Sequence, residues 1–256
     1  MEAGAGGMSL KNGTSELFQG KLLLEDPWYR LVMKMLPAVG HDHHTRSVLE
    51  IGCGFGGFCV NVAKMGAHAV GVDVSVAAVR KAKDLATQSG TKDCVDLVVG
   101  DAHLLPLRND VSLAVVCAET LEHVDDHKKA FDELVRVTDQ SGLLCFTVPN
   151  VLSTSILEYL VLLAIGQPAY VKKIASLENE HIFHIFKVME LLDRRDIRVL
   201  KIQSTDFLHI PPRLRRALRI DPSLRIISDK IENYLVSHNS RLRMLGANIG
   251  VLIRKG

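Results

Sequence analysis

The stretch EIGCGFGG, residues 50–57, closes a short apolar run that begins at Ser47 and places four glycines within six residues. Glycines at alternate positions allow a tight turn in which no Cβ separates the backbone from a ligand. A helix predicted for Phe58–Met65 follows this turn, and its first N–H groups would face that ligand. A simple strand-to-helix turn rarely needs so many glycines. We therefore interpret the stretch as the ligand-binding turn of a strand–turn–helix unit.

Apolar strand-like runs and helix-like segments alternate on the C-terminal side of this turn. Strands separated by helices of about 10–15 residues predict a mostly parallel sheet with helices on both faces. The runs are continuous in Val, Leu and Ile, which is typical of strands buried on both sides. The fold class is therefore α/β. The predicted strands are Ser47–Ile51, Ala69–Val74, Val95–Val99, Val111–Ala118, Gly142–Val148, Ile197–Gln203 and Ala247–Ile253, and the further helices are Val76–Gln88, Asp126–Val137 and Lys187–Arg195.

Length and composition limit the domain organisation. The chain has 256 residues, of which 47% are apolar and 23% are charged, so it is long enough for a sizeable core and is not intrinsically disordered. Because the first and the last predicted strands belong to one sheet, we expect a single domain over residues 21–256. A flexible leader is predicted for residues 1–20, and insertions are predicted at about 151–186 and 205–246.

The cysteines and the hydropathy pattern favour the cytoplasm. The five cysteines form no CxxC pair, which is typical of a reducing compartment. Residues 1–20 have no apolar signal-peptide region after a basic start. The longest apolar stretch, residues 151–165, is interrupted by Glu158 and is shorter than the roughly 20 residues of a membrane span.

Two carboxylates stand at the ends of the next two predicted strands. Asp73 lies 21 residues after Gly52, where an acid can accept two hydrogen bonds from a ribose diol. The alternative role for Asp73 is the N-cap of the following helix, but Ser75 fills that position better. Asp101 lies in the triplet GDA, residues 100–102, where a carboxylate and the adjacent backbone N–H can read an adenine edge.

These three stretches, in this order, resemble the class I S-adenosylmethionine-dependent methyltransferases, most closely the small-molecule and lipid branch called methyltransferase type 11. The resemblance covers Trp28 to Asn150 and includes VLEIGCGFG, VGVDVS, GDAHLLPL, AETLEHVDD and ELVRVTDQSGLLCFTVPN. It implies a Rossmann-like, seven-stranded, mostly parallel sheet with an antiparallel last strand and α-helical cap insertions. It also implies S-adenosyl-L-methionine as the cofactor and S-adenosylhomocysteine as the product. A dehydrogenase would usually show GxGxxG instead.

The resemblance further implies which residues bind the cofactor. Asp73 would hold the ribose hydroxyls, and Val74 would pack on the adenine. Asp101 would accept from the adenine amino group, and the backbone of Ala102 would donate to the ring. Glu119 would line the pocket beside the methionine part. The residues implied to surround that methionine part are Glu50, with its carboxylate near the ammonium, and Gly52, Cys53, Gly54 and Gly56.

Methyl transfer from a sulfonium is an in-line displacement, to which a protein contributes mainly alignment and desolvation. An acceptor with a dissociable proton also requires a general base, and His123 and His181 are the candidates. His123 follows the fourth strand, where ligands collect in α/β sheets, although a loop contact is an equal alternative. For His181 and its neighbour His184, a packed pair is the alternative. No metal site is predicted.

The acceptor is expected to be a small organic or lipophilic molecule, such as a ubiquinone-like compound. The apolar segment 152–177 and the arginines of residues 213–225 suit contact with lipid at a membrane surface. The alternative is an apolar cap that closes the pocket and forms a homodimer. Nucleic acid is not favoured, because the fourth strand is followed by AETL rather than an Asn/Asp/Ser-Pro-Pro-aromatic stretch.

Two other functions are compatible with the sequence. A cofactor-binding scaffold without turnover would explain why no general base is unambiguous. An RNA methyltransferase would use the basic segment 211–256, which has ten Lys and Arg against three Asp and Glu.

Overall fold

The computed structural model describes residues 47–150, 185–205 and 248–256, together with Tyr29 and Val32. The predicted leader, nearly all of the two predicted insertions and the candidate base His181 lie outside the described residues. No helix in the described ranges is long and apolar enough to cross a membrane.

Seven strands form one sheet, as predicted. They are β1 (Ser47–Ile51), β2 (His68–Asp73), β3 (Val95–Val99), β4 (Ser112–Ala118), β5 (Thr138–Pro149), β6 (Ile197–Thr205) and β7 (Asn248–Lys255). Their order across the sheet is β3-β2-β1-β4-β5-β7-β6. Strand β7 runs antiparallel to both of its neighbours, and the other adjacent pairs are parallel. The α/β class and the antiparallel last strand are thereby confirmed.

Helices cover both faces of the sheet. The four helices in the described ranges are α1 (Gly57–Lys64), α2 (Val76–Gln88), α3 (His127–Val137) and α4 (Ile185–Leu192). Helices α1 and α2 pack with Tyr29 and Val32 on the face that carries Val48. Helices α3 and α4 pack on the opposite face, which carries Leu49 and Ile51. Adjacent residues of β1 point to opposite faces because side chains alternate along a strand.

The predicted bounds hold best where a capping residue marks them. Helix α2 begins and ends as predicted, and its start is fixed by the Ser75 hydroxyl, which accepts a hydrogen bond from the N–H of Ala78 at 3.2 Å. Strand β5 begins at Thr138, earlier than the predicted Gly142. The pairing of β4 with β5 moves from Ser112–Thr138 to Ala114–Leu143, and this irregularity accommodates the additional polar residues.

The glycine-rich turn after β1 brings two helices close together. Gly56 precedes α1 with φ +75°, a left-handed conformation that residues with a Cβ avoid. A Cβ at this position would lie 2.7 Å from the Cβ of Ala82 on α2. The turn therefore requires glycine both for its backbone angle and for the packing of α1 against α2.

We expect Gly56→Ala to destabilise the protein more than Gly90→Ala. Both glycines have similar positive φ values, +75° and +70°, so each alanine costs about 1 kcal/mol in backbone strain. Only the Cβ at position 56 meets other atoms, and this overpacking adds about 1–3 kcal/mol. Urea unfolding of the two variants measures the difference in the free energy of unfolding, and equal losses would contradict the packing argument.

Candidate functional site

A cavity of about 360 Å³ lies at the carboxyl ends of the strands. It is bordered by β1 and its neighbours β2 and β4. The order of the strands reverses between β1 and β4. Open α/β sheets bind ligands in this crevice, and the volume is within the range of small-molecule sites. We call this cavity the cleft. It is lined by Ile51, Gly52, Val72, Asp73, Val74, Gly100, Asp101, Ala102, His103, Glu119, Thr120, His123, Val124 and Asp125.

The floor of the cleft is formed where the turn after β1 meets the segment after β4. Gly52 has φ +77°, and a Cβ there would lie 2.1 Å from the Thr120 hydroxyl oxygen. The N–H groups of Gly52 and Cys53 both donate to the carbonyl oxygen of Val72 on β2, at 2.8 and 3.0 Å. The absence of a side chain at residue 52 thus lets backbone, rather than a Cβ, line the cleft.

Two backbone N–H groups hold the Asp73 carboxylate at the edge of the cleft. The N–H of Gly54 donates to Oδ2 and the N–H of Ser75 donates to Oδ1, both at 2.8 Å. Each carboxylate oxygen accepts one of these bonds and has a further lone pair for a ligand. Asp73 is therefore fixed in orientation and is able to accept two more hydrogen bonds.

A histidine that the sequence analysis missed fixes the Asp101 carboxylate. The backbone N–H of His103 donates to Asp101 Oδ1 at 2.8 Å, and Nδ1 of its ring lies 2.7 Å from the same oxygen. The backbone N–H and then the ring hold the pKa of Asp101 below its usual value, so the carboxylate is ionised at neutral pH. An Asp followed two residues later by a partner is typical of a side-chain turn, and this is the signal the sequence offered.

Glu119 occupies a strained position on the opposite side of the cleft. Its φ is +49°, a conformation uncommon outside glycine and concentrated at functional sites. The Thr147 hydroxyl donates to Glu119 Oε1 at 2.9 Å, and the Glu119 N–H donates to the Thr147 carbonyl at 3.2 Å. Strand β5 thereby holds the Glu119 carboxylate in place, a role for Thr147 that its sequence context did not indicate.

Glu50 differs from its predicted place beside a ligand. Only 2% of it is exposed, and it lies on the sheet face that α1 covers. The Tyr29 hydroxyl donates to Oε1 at 3.5 Å and the Cys59 thiol donates to Oε2 at 3.1 Å. Burial raises the pKa of Glu50 to about 8. The alternation along β1 explains the difference, because residue 50 points to the opposite face from Ile51, which lines the cleft.

The remaining predicted residues divide into two groups. The residues that line the cleft are Gly52, Val74, Ala102 and His123. The residues that are not part of its described lining are Cys53, Gly54 and Gly56. Cys53 is buried beside Gly71, and Gly54 acts through its N–H on Asp73.

His123 ends a short 3-10 helix, Leu121–His123, and about half of its side chain is exposed. Its Nε2 lies 4.0 Å from Oε1 of the buried Glu122. Among the described residues there is no cluster of three or more His, Cys, Asp or Glu side chains suited to a metal ion.

The charge of the cleft is negative. Four carboxylates, those of Asp73, Asp101, Glu119 and Asp125, line it, and the described part of the lining includes no Lys or Arg. Such a lining favours a ligand with positive charge.

Comparisons with known proteins agree with this geometry. Residues 49–146 match the family model described as a methyltransferase domain. Norajmaline N-methyltransferase of Rauvolfia serpentina is 39% identical over 93 residues, which are 36% of this chain and 32% of that protein. The match thus spans about a third of the length of the first curated relatives. Ubiquinone biosynthesis O-methyltransferase of Klebsiella pneumoniae strain 342 is 29% identical over 71% of this chain and 72% of its own.

The fold is also found among solved structures. A possible histamine N-methyltransferase of Thermotoga maritima, described as S-adenosylmethionine-dependent, superposes with a TM-score of 0.58. The two chains are 19% identical, and the superposition covers 95% of this chain and 96% of the other. At this identity the likeness is one of fold.

We expect Glu50→Gln to remove a contribution to the pH dependence of the free energy of unfolding. The carboxyl binds its proton more tightly in the folded state, with a pKa of about 8 against 4.5 for the ordinary group. Its stabilising contribution is therefore complete below about pH 4.5 and is lost as the pH rises to about 8. Relative to the variant, the wild type should lose about 1 kcal/mol of unfolding free energy per pH unit between pH 5 and 8.

Urea unfolding of both proteins at several pH values measures this slope. Glu190→Gln on the exposed side of α4 is the matched control, and its difference from wild type should stay within about 0.5 kcal/mol at every pH. A difference between wild type and Glu50→Gln that does not change with pH would show that Glu50 is ionised when buried.

Proposed function

We propose that this protein transfers a methyl group from S-adenosylmethionine to a small organic acceptor. The match of residues 49–146 to the model of a methyltransferase domain supports this proposal. The observation that carries the proposal is the convergence of Asp73, Asp101 and Glu119, from three successive strand ends, on one cleft at the reversal of strand order. This arrangement supplies a separate carboxylate for the ribose diol, the adenine amino group and the ammonium of the cofactor.

The adenosine part fits the residues around β2 and β3. Asp73 has one lone pair on each oxygen for a ribose diol, because the N–H groups of Gly54 and Ser75 occupy the others. The Asp101 carboxylate is an ionised acceptor for the adenine amino group. Val74 lines the same cavity with 70% of its surface exposed, which provides an apolar contact for the adenine ring.

The methionine part fits the residues around β1 and β4. We assign its ammonium to Glu119 rather than to Glu50, because Glu119 lines the cleft and Glu50 is engaged by Tyr29 and Cys59 on the α1 face. The residue after Glu119 contacts Gly52, so this carboxylate lies beside the glycine-rich turn. The four carboxylates of the cleft suit a cofactor whose ammonium and sulfonium outweigh its one carboxylate.

S-adenosylmethionine would supply a methyl group on a sulfonium, whose bond to sulfur breaks as the acceptor atom bonds to the methyl carbon in line, with S-adenosylhomocysteine as the leaving group. The protein's part is to bind and orient both molecules and to exclude water. His123 lines the cleft with about half of its side chain exposed, so we propose it as the group that takes a proton from the acceptor. His181 remains the second candidate base.

We infer a small organic or lipophilic acceptor. The relatives support this class, since their names state methylation of norajmaline at nitrogen and methylation at oxygen in ubiquinone biosynthesis. Contact with a membrane surface through residues 152–177 and 213–225, a homodimer and a cytoplasmic location stay proposals from the sequence.

Asp73→Ala should weaken the binding of S-adenosylhomocysteine at least tenfold, because two hydrogen bonds to a charged group are lost. Isothermal calorimetry with the purified protein measures the affinity. Asp96→Ala is the matched control, because Asp96 is exposed on β3, pairs with His68 and lies away from the cleft. Absence of binding by the wild type, or unchanged affinity in Asp73→Ala, would refute the proposed function.

His123→Ala should reduce methyl transfer by about 100-fold while the affinity for S-adenosylhomocysteine stays within about twofold, because a general base acts on the acceptor. The assay follows labelled methyl groups from S-adenosylmethionine into the small-molecule, lipid and RNA fractions of a cell extract. Label found only in RNA would support an RNA methyltransferase instead. Binding without transfer to any fraction would support the scaffold function.

A further inference from the structure

We propose that His103 is a positioning residue that joins the two walls of the cleft through a single imidazole ring. The first wall is the loop 100–109 after β3, which carries Asp101. The second wall is the segment 119–126 between β4 and α3, which carries Glu119 and His123. The inference rests on the proposed function, since it concerns how the cofactor cleft is held in shape.

Both nitrogens of the ring are engaged, one with each wall. Nδ1 lies 2.7 Å from Asp101 Oδ1, and the backbone N–H of Asp126 donates to Nε2 at 3.2 Å. Asp126 is also the N-cap of α3, where its side chain accepts from the N–H of Lys129 at 3.0 Å. The ring therefore connects the adenine-side carboxylate to the first turn of the helix that ends the second wall.

These contacts specify the tautomer. A backbone N–H can only donate, so Nε2 has to be the acceptor in the bond with Asp126. A neutral imidazole with an acceptor at Nε2 carries its proton on Nδ1. That N–H then donates to Asp101 Oδ1. The same side chain thus holds a carboxylate by donating and a backbone amide by accepting, which a lysine, an alanine or a charged imidazole cannot do.

The other end of the loop is attached to α3 independently of His103. Glu133 Oε2 accepts from the N–H of Leu105 at 2.7 Å. Arg136 donates to the carbonyl oxygen of Leu107 at 2.8 Å and to Glu133 Oε1 at 2.6 Å. With this anchor in place, loss of the His103 contacts should release the cleft end of the loop without unfolding the whole segment.

The position of His103 indicates that it serves the cleft rather than the core. Its side chain is 23% exposed and lines the cavity, whereas Glu133 and Arg136 are not part of the described lining. Its backbone N–H and its ring both donate to Oδ1 of Asp101, which fixes the rotation of the carboxylate and directs Oδ2 to other donors. His103 thereby sets the orientation of the group that reads the adenine.

The experiment compares wild type with His103→Ala, His103→Asn and His68→Ala. An asparagine places its amide nitrogen close to the position of Nδ1, so it can keep the donation to Asp101, whereas its shorter side chain does not reach the N–H of Asp126. His68 is the matched control, because it is a histidine whose Nε2 lies 3.4 Å from Asp96 Oδ2 at the opposite end of the sheet from the cleft. Calorimetry measures the affinity of each protein for S-adenosylhomocysteine. ¹⁵N NMR of the imidazole nitrogens identifies the tautomer of His103. Amide hydrogen exchange shows whether the N–H of Asp126 is hydrogen-bonded.

We expect His103→Ala to weaken the binding of S-adenosylhomocysteine about tenfold and to accelerate hydrogen exchange at the N–H of Asp126. The affinity of His103→Asn should stay within about threefold of wild type, and that of His68→Ala within about twofold. The free wild type should show the proton on Nδ1. A proton on Nε2, or full affinity in His103→Ala, would overturn the proposal. If wild type does not bind S-adenosylhomocysteine, the proposed function fails, and the tautomer and the Asp126 exchange still decide whether His103 joins the two walls.

Discussion

The close approach of the turn after β1 to the segment after β4 is the constraint on which the cleft depends. Gly52 leaves no room for a side chain, because a Cβ would lie 2.1 Å from the Thr120 hydroxyl oxygen. Beyond this contact the chain continues to opposite sides of the sheet, from β1 toward β2 and β3 and from β4 toward β5. The cleft therefore opens beside this close contact, and main chain forms this part of its floor.

Three of the four carboxylates that line the cleft are each oriented by a hydrogen-bond donor of the chain. Backbone N–H groups hold Asp73, His103 holds Asp101, and the Thr147 hydroxyl holds Glu119. A fixed carboxylate needs little reorganisation when a ligand arrives, which is the advantage of preorganised sites. The same arrangement keeps several like charges close together in the protein, and a cationic ligand relieves their mutual repulsion.

Local sequence was sufficient for the fold and for half of the described residues that line the cleft. The strand–helix alternation gave the parallel sheet, and Ser75 marked the start of α2 because capping depends on neighbouring residues. Local sequence was insufficient to place the Glu50 side chain. The alternation along a strand shows that residues 48 and 50 share a face of the sheet, but it does not show which helix covers that face. His103 was missed for a related reason: its contact with Asp126 spans 23 residues and exists only after the loop that follows β3 packs against α3 and the segment before it.

The placement of β7 has a consequence for how the nascent chain folds. Strand β7 is the latest in sequence, yet it lies between β5 and β6 rather than at an edge. It follows β6 by 42 residues, which a ribosome adds in roughly 2–9 seconds. During that interval β1 to β4 already have all their neighbours in the chain, whereas β6 has none and the outer edge of β5 is open to association with other chains. The cleft can thus assemble before the sheet is complete, and the final strand closes the edge that a chaperone would have to shield.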